Sequence, residues 1–125
     1  MSVLLDTSVW VDHFRRANAA LVQLVTLDQA LTHPMVVVEL ACGTPPAPRP
    51  KTLGDMALLG SVRQATLEEV RDFIEREALY GLGCGLVDLA LLCSVLITPN
   101  TRLWTMDKRL HELAARFDVS YVPAH

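Results

Sequence analysis

Short apolar runs that stop at small polar or acidic residues, each followed by a stretch of helical spacing, make up most of this chain. Val3-Leu4-Leu5 ends at Asp6-Thr7-Ser8, residue types whose side-chain oxygens cap helix N-termini, and Val9, Trp10 and Phe14 then recur at near-helical intervals. The pattern predicts strand, sharp turn, helix. Leu21, Leu24 and Val25 mark a second amphipathic stretch, Ala30 to His33 a short strand, and Pro34 the first turn of a helix over Met35 to Ala41 that Gly43 terminates. Thr44 to Pro50 holds four prolines in seven residues and reads as a stiff connector that continues no helix.

Further along, a weak helix is predicted over Leu53 to Leu59 and a third strand over Val62 to Ala65. Thr66-Leu67-Glu68-Glu69 is a capping box, and Leu67, Val70, Ile74 and Ala78 give its helix an apolar stripe; Glu68, Arg71, Asp72, Glu75, Arg76 and Glu77 form a solvated face. Gly81, Gly83 and Gly85 break the chain before an apolar helix over Val87 to Ile97, which Pro99 and Asn100 end. Leu103-Trp104-Thr105 then reads as a strand, Lys108 to Phe117 as a helix and Val119 to Val122 as a final strand. Strands alternating with helices predict an α/β fold, a parallel β-sheet with helices on both faces in three α/β/α layers. The working site of such a sheet lies beyond the carboxyl ends of its strands, where Asp6 and Asp107 both fall.

A length of 125 residues suits one domain, read here as 1–125, and 51% hydrophobic content excludes disordered and fibrous classes. The most apolar stretch, Leu86 to Ile97, is interrupted by Asp88 and falls short of the roughly 20 residues that cross a bilayer. Met1 is followed by Val3, Leu4 and Leu5 without a basic segment or a small-residue cleavage site, so neither secretion nor a membrane partner is expected. Cys42, Cys84 and Cys93 are odd in number and lack CxxC spacing, which predicts reduced, buried thiols in a cytoplasmic protein. His13, His33, His111 and His125 lack the intervals of a zinc site. A net charge of −3 does not draw in nucleic acid, so phosphate binding has to be local or metal-assisted.

Ten of the fourteen acidic residues sit in polar or amphipathic settings; four do not. Asp6 follows Val3-Leu4-Leu5, Glu39 lies within Met35 to Cys42, Asp88 within Leu86 to Leu92, and Asp107 follows Leu103-Trp104-Thr105-Met106. A buried carboxylate needs a partner, a proton or a metal. Asp6 and Asp107 also suit simple N-capping, and a lone buried acid or a helix-start residue is the plainer reading of Glu39 and Asp88. No basic residue lies within a helical turn of either of the latter two. If the four converge, mutual repulsion raises some of their pKa values and a divalent cation relieves it. All-oxygen donors favour Mg²⁺ or Mn²⁺, and the chemistry suited to such a cluster is phosphoryl transfer.

These positions, with their neighbours, resemble the PIN-domain family and within it the VapC-type toxins. The carrying residues are Leu4-Leu5-Asp6-Thr7-Ser8-Val9-Trp10, His33-Pro34, Val38-Glu39-Leu40-Ala41-Cys42-Gly43, Gly83-Cys84-Gly85-Leu86-Val87-Asp88 and Leu103-Trp104-Thr105-Met106-Asp107-Lys108-Arg109-Leu110. The resemblance implies a homodimeric toxin that hydrolyses RNA with Mg²⁺ or Mn²⁺ and is inhibited by a cognate antitoxin. It also implies Asp6, Glu39, Asp88 and Asp107 as catalytic metal ligands, with Thr7, Ser8 and Thr105 as supporting hydroxyls. Arg15, Arg16, Lys108 and Arg109 flank the two acidic strand ends and are candidates for RNA phosphate contacts. Trp10 and Trp104 read as core, and the Gly81-x-Gly83-x-Gly85 run follows a helix, so it is no dinucleotide loop. Two other classes compete. A response-regulator-like signalling domain leaves Glu39 and Asp88 unexplained, and an inert PIN-like binding module has no use for four intact carboxylates.

Overall fold

The first apolar run becomes strand β1 (Ser2–Leu5) in the computed structural model, which describes residues 1–123; His125 lies outside them. Val3, Leu4 and Leu5 are all fully buried because β1 is flanked on both edges. It pairs in parallel with β2 (Ala30–Thr32) on one side and β4 (Thr101–Trp104) on the other, with Leu4 opposite Leu31 and Leu103. A two-residue β3 (Gly60–Ser61) extends the sheet beyond β2, giving the order β3-β2-β1-β4. The order reverses beside β1: the chain leaves toward β2 and returns on the opposite edge as β4. In open parallel sheets that reversal opens a crevice at the carboxyl ends of the strands.

Among the described residues six helices connect the strands, α1 (Thr7–Arg15), α2 (Ala19–Thr26), α3 (Pro34–Cys42), α4 (Arg49–Ala57), α5 (Leu67–Glu77) and α6 (Leu86–Leu96), and a seventh, α7 (Lys108–Arg116), follows β4. The parallel sheet, helix-covered, matches the three-layer α/β/α expectation. Helix α6 is apolar on every side, and Leu89 to Val95 are accordingly all buried. No helix among the described residues is long and apolar enough to cross a membrane.

Several expectations need correction. The third strand sits at Gly60–Ser61 rather than Val62 to Ala65. Val62 N–H still bonds Thr32 O at 3.1 Å, but Arg63 N–H and Ala65 N–H donate to the Thr98 and Ser94 hydroxyls beside α6, so the backbone leaves the ladder. The expected final strand, Val119 to Val122, is a single bridge between Leu103 and Ser120. Helix α4 begins inside the proline-rich segment, because Pro50 occupies its first turn, where no N–H partner is required. The capping box of α5 is present, yet Leu67 is 65% exposed while Val70 and Phe73 are buried, Phe73 against the Phe117 ring at 5.4 Å. Ala78 ends α5 in the left-handed conformation instead of joining its stripe. His33 caps α3 instead of ending β2: its Nδ1 accepts from Met35 N–H at 3.0 Å. Of the three free cysteines only Cys93 is buried; Cys84 is half-buried and Cys42 exposed.

Candidate active site

Strands β1 and β4 end side by side, and the first polar residues after each meet there. Asp6 N–H bonds Trp104 O at 3.1 Å, continuing the ladder one step beyond β1. Its carboxylate then turns under α1 as the N-cap. Oδ1 accepts from Val9 N–H at 3.2 Å and from the Ser8 hydroxyl at 2.5 Å, and Oδ2 accepts from the Thr105 hydroxyl. Thr105 accepts in turn from Asp107 N–H at 3.0 Å, and Ser8 from Met106 N–H at 2.9 Å. Each hydroxyl has one proton, and both protons go to Asp6. Ser8 and Thr105, 3.5 Å apart, are thus two donors that fix one carboxylate between the β1 and β4 ends.

The other acids surround this point. Asp107 caps α7, its Oδ1 accepting from Leu110 N–H at 2.9 Å. Asp88 lies in the first turn of α6, just past Gly85. Glu39, two-thirds of the way along α3, accepts from the Thr7 hydroxyl at 2.5 Å, which ties α3 to the start of α1. Burial pushes the Asp6 carboxyl above its ordinary range, with the Ser8 and Thr105 hydrogen bonds acting the other way. Asp88 is also raised, first by burial and then by the charge of Asp107, with smaller contributions from Asp6 and Glu39 and an opposing one from Gly85 N–H. One carboxyl therefore feels the other three.

Their burial differs from the expectation. Only Asp6 is buried; Asp88 is half-buried, and Glu39 and Asp107 are exposed. Glu39 looked embedded because α3 is apolar all round, but only Val36 and Leu40 are buried while Val38 is 63% exposed. Trp10 and Trp104 are core residues, as expected. Of the basic candidates, Arg15 lines a cavity of about 470 Å³ together with Thr7 and Glu39. Arg16 lies past the far end of α1, about 14 Å along its axis from Asp6. Lys108 and Arg109 open α7 beside Asp107. Cys84 and Gly83, not read as site residues from sequence, join its rim: burial and then the charges of Asp88 and Asp107 raise the Cys84 thiol pKa, and Arg109 lowers it.

Among the described residues the one ion pair is Lys51–Asp55, so none of the four acids has a basic partner. Nor do any three His, Cys, Asp or Glu side chains stand close enough, as they are, to form a ready chelate. A hard ion such as Mg²⁺ keeps several waters and takes one or two carboxylates plus substrate oxygens. The donors, all oxygen and uncompensated, fit such an ion.

No family model matches the chain. It is 42% identical over 118 residues, 94% of either chain, to the protein named Ribonuclease VapC32 in two strains of Mycobacterium tuberculosis.

Proposed function

The chain belongs to the VapC ribonuclease family, and from that premise we propose that it is a toxin ribonuclease that hydrolyses RNA phosphodiester bonds with Mg²⁺ or Mn²⁺ at Asp6, Glu39, Asp88 and Asp107. The observation that carries this reading is the shared field of the four carboxylates without a basic partner. Bound at these oxygens, a divalent cation supplies Lewis acidity toward the phosphodiester and lowers the pKa of water. The chain's own residues orient the donors. Ser8 and Thr105 hold both oxygens of Asp6, Thr7 holds Oε1 of Glu39, and the first turn of α7 holds Oδ1 of Asp107. One of the four carboxylates also accepts a proton from the attacking water.

The test is cleavage of a labelled RNA by the purified protein. Products with 5′-phosphate and 3′-hydroxyl ends, formed with Mg²⁺ or Mn²⁺ and lost in EDTA, are expected, because the 2′-hydroxyl plays no part. Undiminished cleavage in EDTA or 2′,3′-cyclic phosphate ends overturn the reading.

Its other parts are a cytoplasmic location, a homodimer and an antitoxin whose Arg or Lys tail enters the carboxylates and takes the metal's place. Val38, Leu67, Tyr80 and Leu86, each more than half exposed, supply apolar surface for self-association. Light scattering at micromolar concentration is expected to give twice the chain mass, and a monomer removes the dimer from the proposal.

A further inference from the structure

We propose that Arg109, seated on Gly83, is the residue that grips an RNA backbone phosphate at the mouth of the carboxylate site; the proposal rests on the ribonuclease reading and singles out one of the basic residues near it. A Cβ built on Gly83 would lie 2.6 Å from Arg109 Nη1, 2.9 Å from Cδ and 3.0 Å from Cζ. The end of the arginine therefore fills the space that any side chain at 83 would need. Gly83 also has φ +88°, a left-handed conformation in which glycine alone is at ease, so the loop before α6 requires glycine there twice over. The seat ties the first turn of α7 to that loop, on the side of the site where Asp88 and Asp107 stand.

The guanidinium is placed but not spent. Arg109 is exposed and, among the described residues, forms no ion pair and no hydrogen bond, although its charge reaches the same thiol, Cys84, that Asp88 and Asp107 act on. A planar fork of N–H donors held beside carboxylates without closing onto them is set for an anion that arrives at them, and phosphodiester oxygens match that fork in two bonds. Lys108 has no such seat, Arg15 stands over by Glu39, and Arg16 is beyond the end of α1. Fixing Arg109 on the glycine also lowers the side-chain entropy lost when phosphate binds.

The experiment measures affinity for a fluorescein-labelled single-stranded RNA in Ca²⁺ by anisotropy over a range of salt, alongside cleavage kinetics in Mn²⁺. Arg109→Gln is expected to weaken binding about tenfold and to flatten the dependence of log Kd on log salt by about 0.7, one phosphate contact. In cleavage KM rises while kcat changes little. Arg109→Lys restores the salt slope and only part of the affinity. Gly83→Ala displaces the guanidinium with its charge intact and reproduces much of the loss of affinity but adds nothing to that loss in an Arg109→Gln background, while the strain at φ +88° lowers the melting temperature alike in both. Unchanged affinity and salt slope in Arg109→Gln, with a melting curve like the parent's, overturn the proposal, and additive effects of the two substitutions overturn the seat. If the unmutated protein cleaves no RNA while the salt slope still falls, the ribonuclease reading fails and the phosphate grip stands.

Discussion

Asp88→Asn is expected to slow RNA cleavage about a thousandfold while leaving the metal-free protein at least as stable as the parent. A loss of roughly 4 kcal/mol of transition-state stabilisation corresponds to that factor, a size appropriate to a group that holds a divalent cation at a phosphoryl centre. The stability half follows from the raised pKa. The ordinary value is 3.8, and burial with the charge of Asp107 lifts Asp88 above it in the folded state. Between the unfolded and the folded value the native protein binds more protons, so Asp88's contribution is fully present below pH 3.8 and is lost as pH rises through its folded pKa. Asn, neutral at every pH, removes this share of the decline, and the variant's stability is flatter from about pH 4 upward. Chemical denaturation at several pH values in EDTA checks the sign. A variant markedly less stable than the parent at pH 7 identifies Asp88 as a helix-start residue, since most substitutions that break a structural contact destabilise. Asp6 is a less clean probe, because Ser8, Thr105 and Val9 all donate to it and its neutralisation disturbs three bonds at once.

Saturating Mn²⁺ is expected to raise the melting temperature of the parent by about 10 °C and that of Asp88→Asn by far less. At a hundredfold excess over Kd a ligand specific for the native state adds about 2.7 kcal/mol, and a domain of this size shifts by about 4 °C per kcal/mol. The gain is large because the same ion that binds the carboxylates cancels their repulsion. Paired thermal melts with and without Mn²⁺ decide it. Equal gains for parent and variant place the ion elsewhere and remove Asp88 from the metal site.

The alternation of strands and helices was legible because β1 is an apolar run and several helix starts carry an oxygen that caps them, as Asp6, Thr66 and Asp107 do. What the sequence hid was set by tertiary contacts. Val62 to Ala65 has the composition of a strand, yet the N–H groups of Arg63 and Ala65 are taken by the hydroxyls of Thr98 and Ser94, about thirty residues away. At the site, the four acids stood out as carboxylates in apolar company, and the charges of Asp107, Asp6 and Glu39 all act on Asp88, although no three of the acids stand close enough to form a ready chelate. The reason given was sound for Asp6 but not for Glu39, which rides the exposed side of a helix whose sequence shows no polar face. Thr7, Ser8 and Thr105 came only as what the family resemblance implies. The seat of Arg109 was not, since nothing in Gly81-x-Gly83-x-Gly85 says which glycine lies beneath a residue of α7.

The bond from Thr105 to Asp6 spans 99 positions of sequence, and β1 obtains its second neighbour only when Thr101–Trp104 lies alongside it. A growing chain emerging from the ribosome thus carries Asp6 for a long interval with neither the strand nor the hydroxyl that holds it in place. The Asp6 carboxylate is fixed only once Thr101 to Thr105 have been made. On the toxin reading proposed above, that order leaves a period in which an inhibitor is already present before the Asp6 end of the site is assembled.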